Sequence, residues 1–163
     1  MMLYIASSFQ HTDRVAQVAK ALEAAGHEIT VRWWDRCFDV EGEGEIHTQI
    51  LKTRYDELSP EVFYGKPEAH EAFMSDFMAV KQAEALVFVA SDEPRKYNGA
   101  TVELGIAIGD FKPCYLLGEL ENSVMFGPLI RCNDIDEVIH GLAKFMELTR
   151  MDPVHPAKEA IPQ

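Results

Sequence analysis

The chain has 163 residues, 47% of them hydrophobic, which suits one domain with one sizeable core. Its formal net charge of −12 disfavours a nucleic-acid polymer as partner, because neutralising a phosphate backbone needs clustered Lys and Arg; a small phosphorylated or uncharged ligand remains compatible. Three cysteines, Cys37, Cys114 and Cys132, with no CxxC pair, read as a reduced, cytoplasmic protein rather than a disulfide scaffold. The opening residues carry no basic leader and too short an apolar run for a signal peptide or a membrane span, so no membrane association is expected.

Leu3 to Ala6 read as a short buried strand, and Val15, Val18, Ala19 and Leu22 then recur at helical spacing until Gly26. Glu28 to Trp34 alternates as a second strand, which would send Trp33 and Trp34 to opposite faces. From Asp35 to Lys66 the chain is irregular and locally acidic, consistent with short helical pieces in a surface insertion that covers the site. Pro67 to Ala83 forms a helix that leads into Ala85-Leu86-Val87-Phe88-Val89-Ala90, the unbroken apolar run of a parallel strand covered on both faces. A helix over Ala100 to Gly109, a strand over Pro113 to Leu117 and a helix over Ile135 to Thr149 complete the pattern. Strands alternating with helices predict a three-layer, doubly wound parallel α/β sheet as a single domain over residues 1–150, followed by a flexible tail at 151–163.

Such sheets bind ligands beyond the carboxyl ends of their strands. The corresponding loops hold Ser7-Ser8-Phe9, Trp34-Asp35 and residues 91–98. Ser7 and Ser8 suit either a helix cap or a phosphate, and Trp34 suits a stacked base. Asn98-Gly99 opens a helix that carries Glu103 about one turn in, where the helix dipole favours a carboxylate suited to nucleophilic attack, and Gly105 leaves room for close packing. No metal is expected: His70-Glu71-Ala72-Phe73-Met74 lacks the second histidine of HExxH. Gly42-Glu43-Gly44 sits in an acidic stretch rather than between a strand and a helix, so no dinucleotide cofactor is expected either.

Leu3-Tyr4-Ile5-Ala6-Ser7-Ser8-Phe9, Asp76 in Met74-Ser75-Asp76-Phe77, and Asn98-Gly99-Ala100-Thr101-Val102-Glu103-Leu104-Gly105 followed by Lys112-Pro113 resemble the nucleoside 2-deoxyribosyltransferase family, with its relatives that hydrolyse nucleoside monophosphates. The resemblance spans nearly the whole chain and implies a Rossmann-like or flavodoxin-like fold. It implies Glu103 as nucleophile on C1′, Tyr4 orienting its carboxylate, and Asp76 near the base and the departing nitrogen. It further implies a substrate site drawn from Ser7, Ser8, Phe9, Trp34, Asn98, Gly99, Ser123 and Met125, with no cofactor. Ser123 falls where the family brings a neighbouring subunit's side chain to the sugar 5′ end, so a homodimer or higher homo-oligomer is implied. Tyr97 stands where transferases carry Asp and nucleotide hydrolases often carry Ser, and Gln10 stands where the hydrolases can have Arg. The partner expected is a small nucleoside or nucleotide. The rival from another class is a non-catalytic nucleotide-binding or sensing module on the same fold; a cytokinin-type phosphoribohydrolase is a third, disfavoured by the single Gly99.

Overall fold

A computed structural model describes residues 1–8, 11–35, 37–40, 44–47, 67–90, 98–120 and 126–150. In chain order its elements are β1 (Met2–Ala6), α1 (Thr12–Ala24), β2 (Glu28–Ile29), one 3-10 turn (Trp33–Asp35), β3 (Cys37–Val40), β4 (Gly44–His47), α2 (Pro67–Gln82), β5 (Ala85–Val89), α3 (Asn98–Gly109), β6 (Cys114–Leu117), β7 (Ile130–Cys132) and α4 (Ile135–Arg150).

β5 is buried at every position, as its continuous apolar sequence requires, and lies mid-sheet. The main sheet runs β2-β1-β5-β6-β7 and is parallel throughout. Register between β1 and β5 pairs Leu3 with Ala85 and Ala6 with Phe88. It is fixed at the amino end, where Glu84 N–H donates to the Met2 carbonyl and Met2 N–H to the Glu84 carboxylate. Helix α1 packs with α4, and α2 with α3, so helices flank a single Rossmann-like α/β core.

α1 buries the residues that its spacing singled out, Val15, Val18, Ala19 and Leu22. It ends where Gly26 turns left-handed at φ 87, with Gly26 N–H donating to the Glu23 carbonyl and His27 N–H to the Leu22 carbonyl.

Three local readings are corrected. The second strand stops at Ile29: Asp35 N–H closes a turn on the Arg32 carbonyl, and the Trp33 indole N–H donates to the Ile5 carbonyl at 2.7 Å, bending the chain over β1. Trp33 and Trp34 therefore both enter the core, 3% and 4% exposed, as an edge-on pair, instead of facing opposite ways. Within the expected insertion, β3 and β4 form an antiparallel pair in place of irregular chain; the helical pieces expected further along, at residues 48–66, lie outside the described residues. Finally, β7 adds a fifth parallel strand where the sequence had suggested none. The tail at residues 151–163 lies outside the described residues.

Candidate active site

From β1 the chain first goes outward to β2, then returns to build β5, β6 and β7 on the other side. The carboxyl ends of β1 and β5 thus flank the topological switch point, where open parallel sheets take ligands. Ser7, just after β1, is 8% exposed and its hydroxyl donates to the Val89 carbonyl at 2.7 Å, tying the two strand ends together. Ser8, partly buried, accepts the His11 N–H on its carbonyl. The N-cap of α1 is His11, without a side-chain cap bond, so neither serine serves as the cap of that helix.

Glu103 is the only ionisable side chain of α3 and is partly buried. The helix begins at Asn98 rather than Ala100, which moves Glu103 to about 7–8 Å from the first residue along the axis, and weakens the dipole's hold on its charge. Asp76 is partly buried on α2. α2 and α3 pack on each other, and both contact β1, where Tyr4 is fully buried. The three elements that carry the implied catalytic groups are therefore mutual neighbours.

Asn98 opens α3, and Gly99 is exposed, with free space where a Cβ would stand. Gly105 is likewise exposed, and among the described residues nothing lies within 4 Å of where its Cβ would stand, so no close packing there requires its lack of a side chain. Trp34 is enclosed, with the Arg32 guanidinium 5.5 Å above its ring and its indole N–H without a hydrogen-bond partner among the described residues. Phe9, Gln10, Tyr97, Ser123 and Met125 lie outside the described residues.

Two residues that sequence reading passed over belong to this edge. Gly118, directly after β6, adopts φ 101, a conformation that L side chains resist. A Cβ there would lie 2.8 Å from the Ala90 carbonyl oxygen and 3.3 Å from Nη2 of Arg14. Arg14, partly buried in the first turn of α1, thus reaches over the ends of β5 and β6. A glycine closing an apolar strand was the available signal for the first; a cation at a helix's positive end was the signal for the second.

Other reactive groups fit the chemistry less well. Burial pushes the Cys114 thiol up to about 11 and raises that of Cys132, so neither is a thiolate at neutral pH. Burial also lowers the pKa of His27, which sits before β2 at the opposite, amino end of the sheet. Lys112 is near the same end, donating to the Val80 and Lys81 carbonyls at the end of α2. Among the described residues no group of three His, Cys, Asp or Glu side chains is placed to hold a metal ion.

Solved structures share this fold. The CMP N-glycosidase BcmB of Clostridium botulinum is similar at a TM-score of 0.51 and 16% identity, over 88% of this chain and 99% of that one. The fold is shared with a nucleotide N-glycosidase. DNA processing protein A of Helicobacter pylori, described for its single-stranded DNA binding mode, is similar at a TM-score of 0.53 and 11% identity, over 89% of this chain and 81% of that one. No protein-family model matches the chain, and no curated protein matches it in sequence. Identities this low make the likeness one of fold. Among the described residues, no helix is long and apolar enough to cross a membrane.

Proposed function

We propose that the chain cleaves the N-glycosidic bond of a nucleoside or nucleoside 5′-monophosphate, with Glu103 as the nucleophile. The observation that carries this reading is the placement of α3, whose single ionisable side chain is Glu103, against α2 with Asp76 and β1 with Tyr4, beside the switch point of the sheet. The fold likeness to a CMP N-glycosidase supports it.

The Glu103 carboxylate attacks C1′, forming a C–O bond as the C1′–N bond breaks. The bonding pair goes to the base nitrogen, which takes a proton from the Asp76 carboxyl group. An oxocarbenium-like transition state is stabilised by the incoming negative charge. Water, or a second base, then attacks C1′ from the face the first base left; Asp76 accepts the proton of this nucleophile, and Glu103 leaves as carboxylate. Two inversions retain the anomeric configuration. Tyr4 orients the Glu103 carboxylate. The site requires no cofactor for this chemistry. In this reading Ser8, Phe9, Asn98, Gly99 and Met125 belong to the substrate site, and Ser123 reaches the sugar 5′ end from a neighbouring subunit.

A homo-oligomer is part of the reading. Phe73, Met74 and Met78 on α2 and Val102 on α3 are 40–52% exposed on packed helices, an apolar face suited to a second copy.

The test is chromatographic detection of free base from ribo- and deoxyribonucleosides and their 5′-monophosphates, with and without an acceptor base. Glu103→Ala is expected to lower base release by about 10³-fold or more, and Asp76→Asn by about 10²–10⁴-fold. Acceptor dependence separates transfer from hydrolysis. Ligand binding without release from any substrate would favour a non-catalytic nucleotide-binding module, a reading that the fold likeness to a DNA-binding protein keeps in play.

A further inference from the structure

We propose that Arg14 is the phosphate-recognising residue of this site, and that the substrate is therefore a nucleoside 5′-monophosphate rather than the nucleoside; this rests on the N-glycosidase reading above.

Charge in this molecule is unbalanced. Acidic residues outnumber basic ones 27 to 15, so carboxylates are abundant for any cation that needs one. Arg32 is held by Glu23 at 2.7 Å and Asp35 at 3.0 Å, and Lys81 by Asp110 at 2.6 Å. Lys20, Lys144, Arg131 and Arg150 project into water. Arg14 does neither: it is partly buried and makes no hydrogen bond or ion pair among the described residues. It also stands in the first turn of α1, where the helix's own positive end opposes a cation. A position with two such penalties is accounted for by an anion that arrives from outside.

Its place fits that role. Gly118 supplies the space: with φ 101 and no Cβ, it lets the guanidinium lie where a side chain would come within 3.3 Å of Nη2. Arg14 belongs to α1, on the layer opposite α3, and both helices begin at the carboxyl edge of the sheet. A ligand whose C1′ meets Glu103 on the α3 side can extend across the crevice toward Arg14. In a nucleotide the group there with a full negative charge is the 5′-phosphate, and the guanidinium fork matches its oxygens in two parallel hydrogen bonds. A nucleoside would leave the half-buried cation uncompensated, so selection follows from the same feature as binding.

Titration calorimetry of the full chain with ribose 5-phosphate and with ribose tests this without relying on turnover. The native chain should bind ribose 5-phosphate at least about tenfold more tightly than ribose; Arg14→Gln should weaken ribose 5-phosphate binding by about 10–100-fold and leave ribose unchanged. Arg14→Lys, which keeps the charge but loses the fork, should fall between, and circular dichroism establishes that each variant is folded. Equal affinities in Arg14→Gln and the native chain, or no preference for ribose 5-phosphate over ribose in the native chain, would overturn the proposal. Arg14-dependent binding of ribose 5-phosphate together with no base release from any nucleotide would overturn the N-glycosidase reading and leave the phosphate assignment standing.

Discussion

Phe111 is 96% exposed and held at φ 58, the left-handed region that bulky side chains avoid. The cause is the end of α3: Phe111 N–H donates to the Ile108 carbonyl and Lys112 N–H to the Ala107 carbonyl, the same pair of bonds that Gly26 permits at the end of α1. One helix meets that requirement with glycine, the other with strain. Phe111→Gly should stabilise the chain by about 1 kcal/mol, seen as a higher urea midpoint with an unchanged slope. At this scale the sequence was partly readable. Glu103 stood out as a carboxylate about one turn into a helix opened by Asn98-Gly99, and motif resemblance supplied the role proposed for it. Arg14 and Gly118 did not stand out, because their relation exists only once β6 is laid beside β5 and α1 is folded over both.

Elements were legible where burial is two-sided. β5 and β6 are buried along their whole length, and their apolar runs announce it. β7 has three residues, of which Ile130 and Arg131 are exposed, so it carries neither an apolar run nor alternation; pairing with β6 alone makes it a strand. Glu28 to Trp34 alternates well, yet the hydrogen bond from the Trp33 indole to Ile5 overrides that pattern after two residues. Helix α4 sets the tightest packing limit. A Cβ on Gly141 would lie 2.7 Å from Cε1 of Tyr115, whose ring on β6 is 1% exposed. In an open helix Gly→Ala gains about 1 kcal/mol, but here the clash should prevail. Gly141→Ala is expected to destabilise by about 1–3 kcal/mol, lowering the melting temperature by roughly 2–4 °C per kcal/mol in a chain of this size.

For the molecule as a whole, the main sheet with strand order β2-β1-β5-β6-β7 matches the expected doubly wound architecture, since each crossover from strand to parallel strand leaves few alternatives. The proposed contact between subunits rests in the sequence on resemblance alone, because an apolar residue on an oligomer face reads there like a core residue. α3 illustrates this: its apolar residues run round the whole helix, yet Val102 is 52% exposed in a single chain. Analytical ultracentrifugation of the native chain should give a dimer or larger species, and Phe73→Asp with Met78→Asp should shift it to monomer. A native monomer at micromolar concentration would remove the neighbour-completed site from the proposal.

The sheet's two borders also bear on how copies can meet. β2 offers two residues and β7 three, so little unpaired backbone is available for a foreign strand to align with. In the proposed homo-oligomer, recognition is then written in side chains rather than in ladders built on the main sheet's edges. Association of that kind can be tuned or abolished one residue at a time, and it leaves the chain poorly suited to templating fibrils through its main sheet.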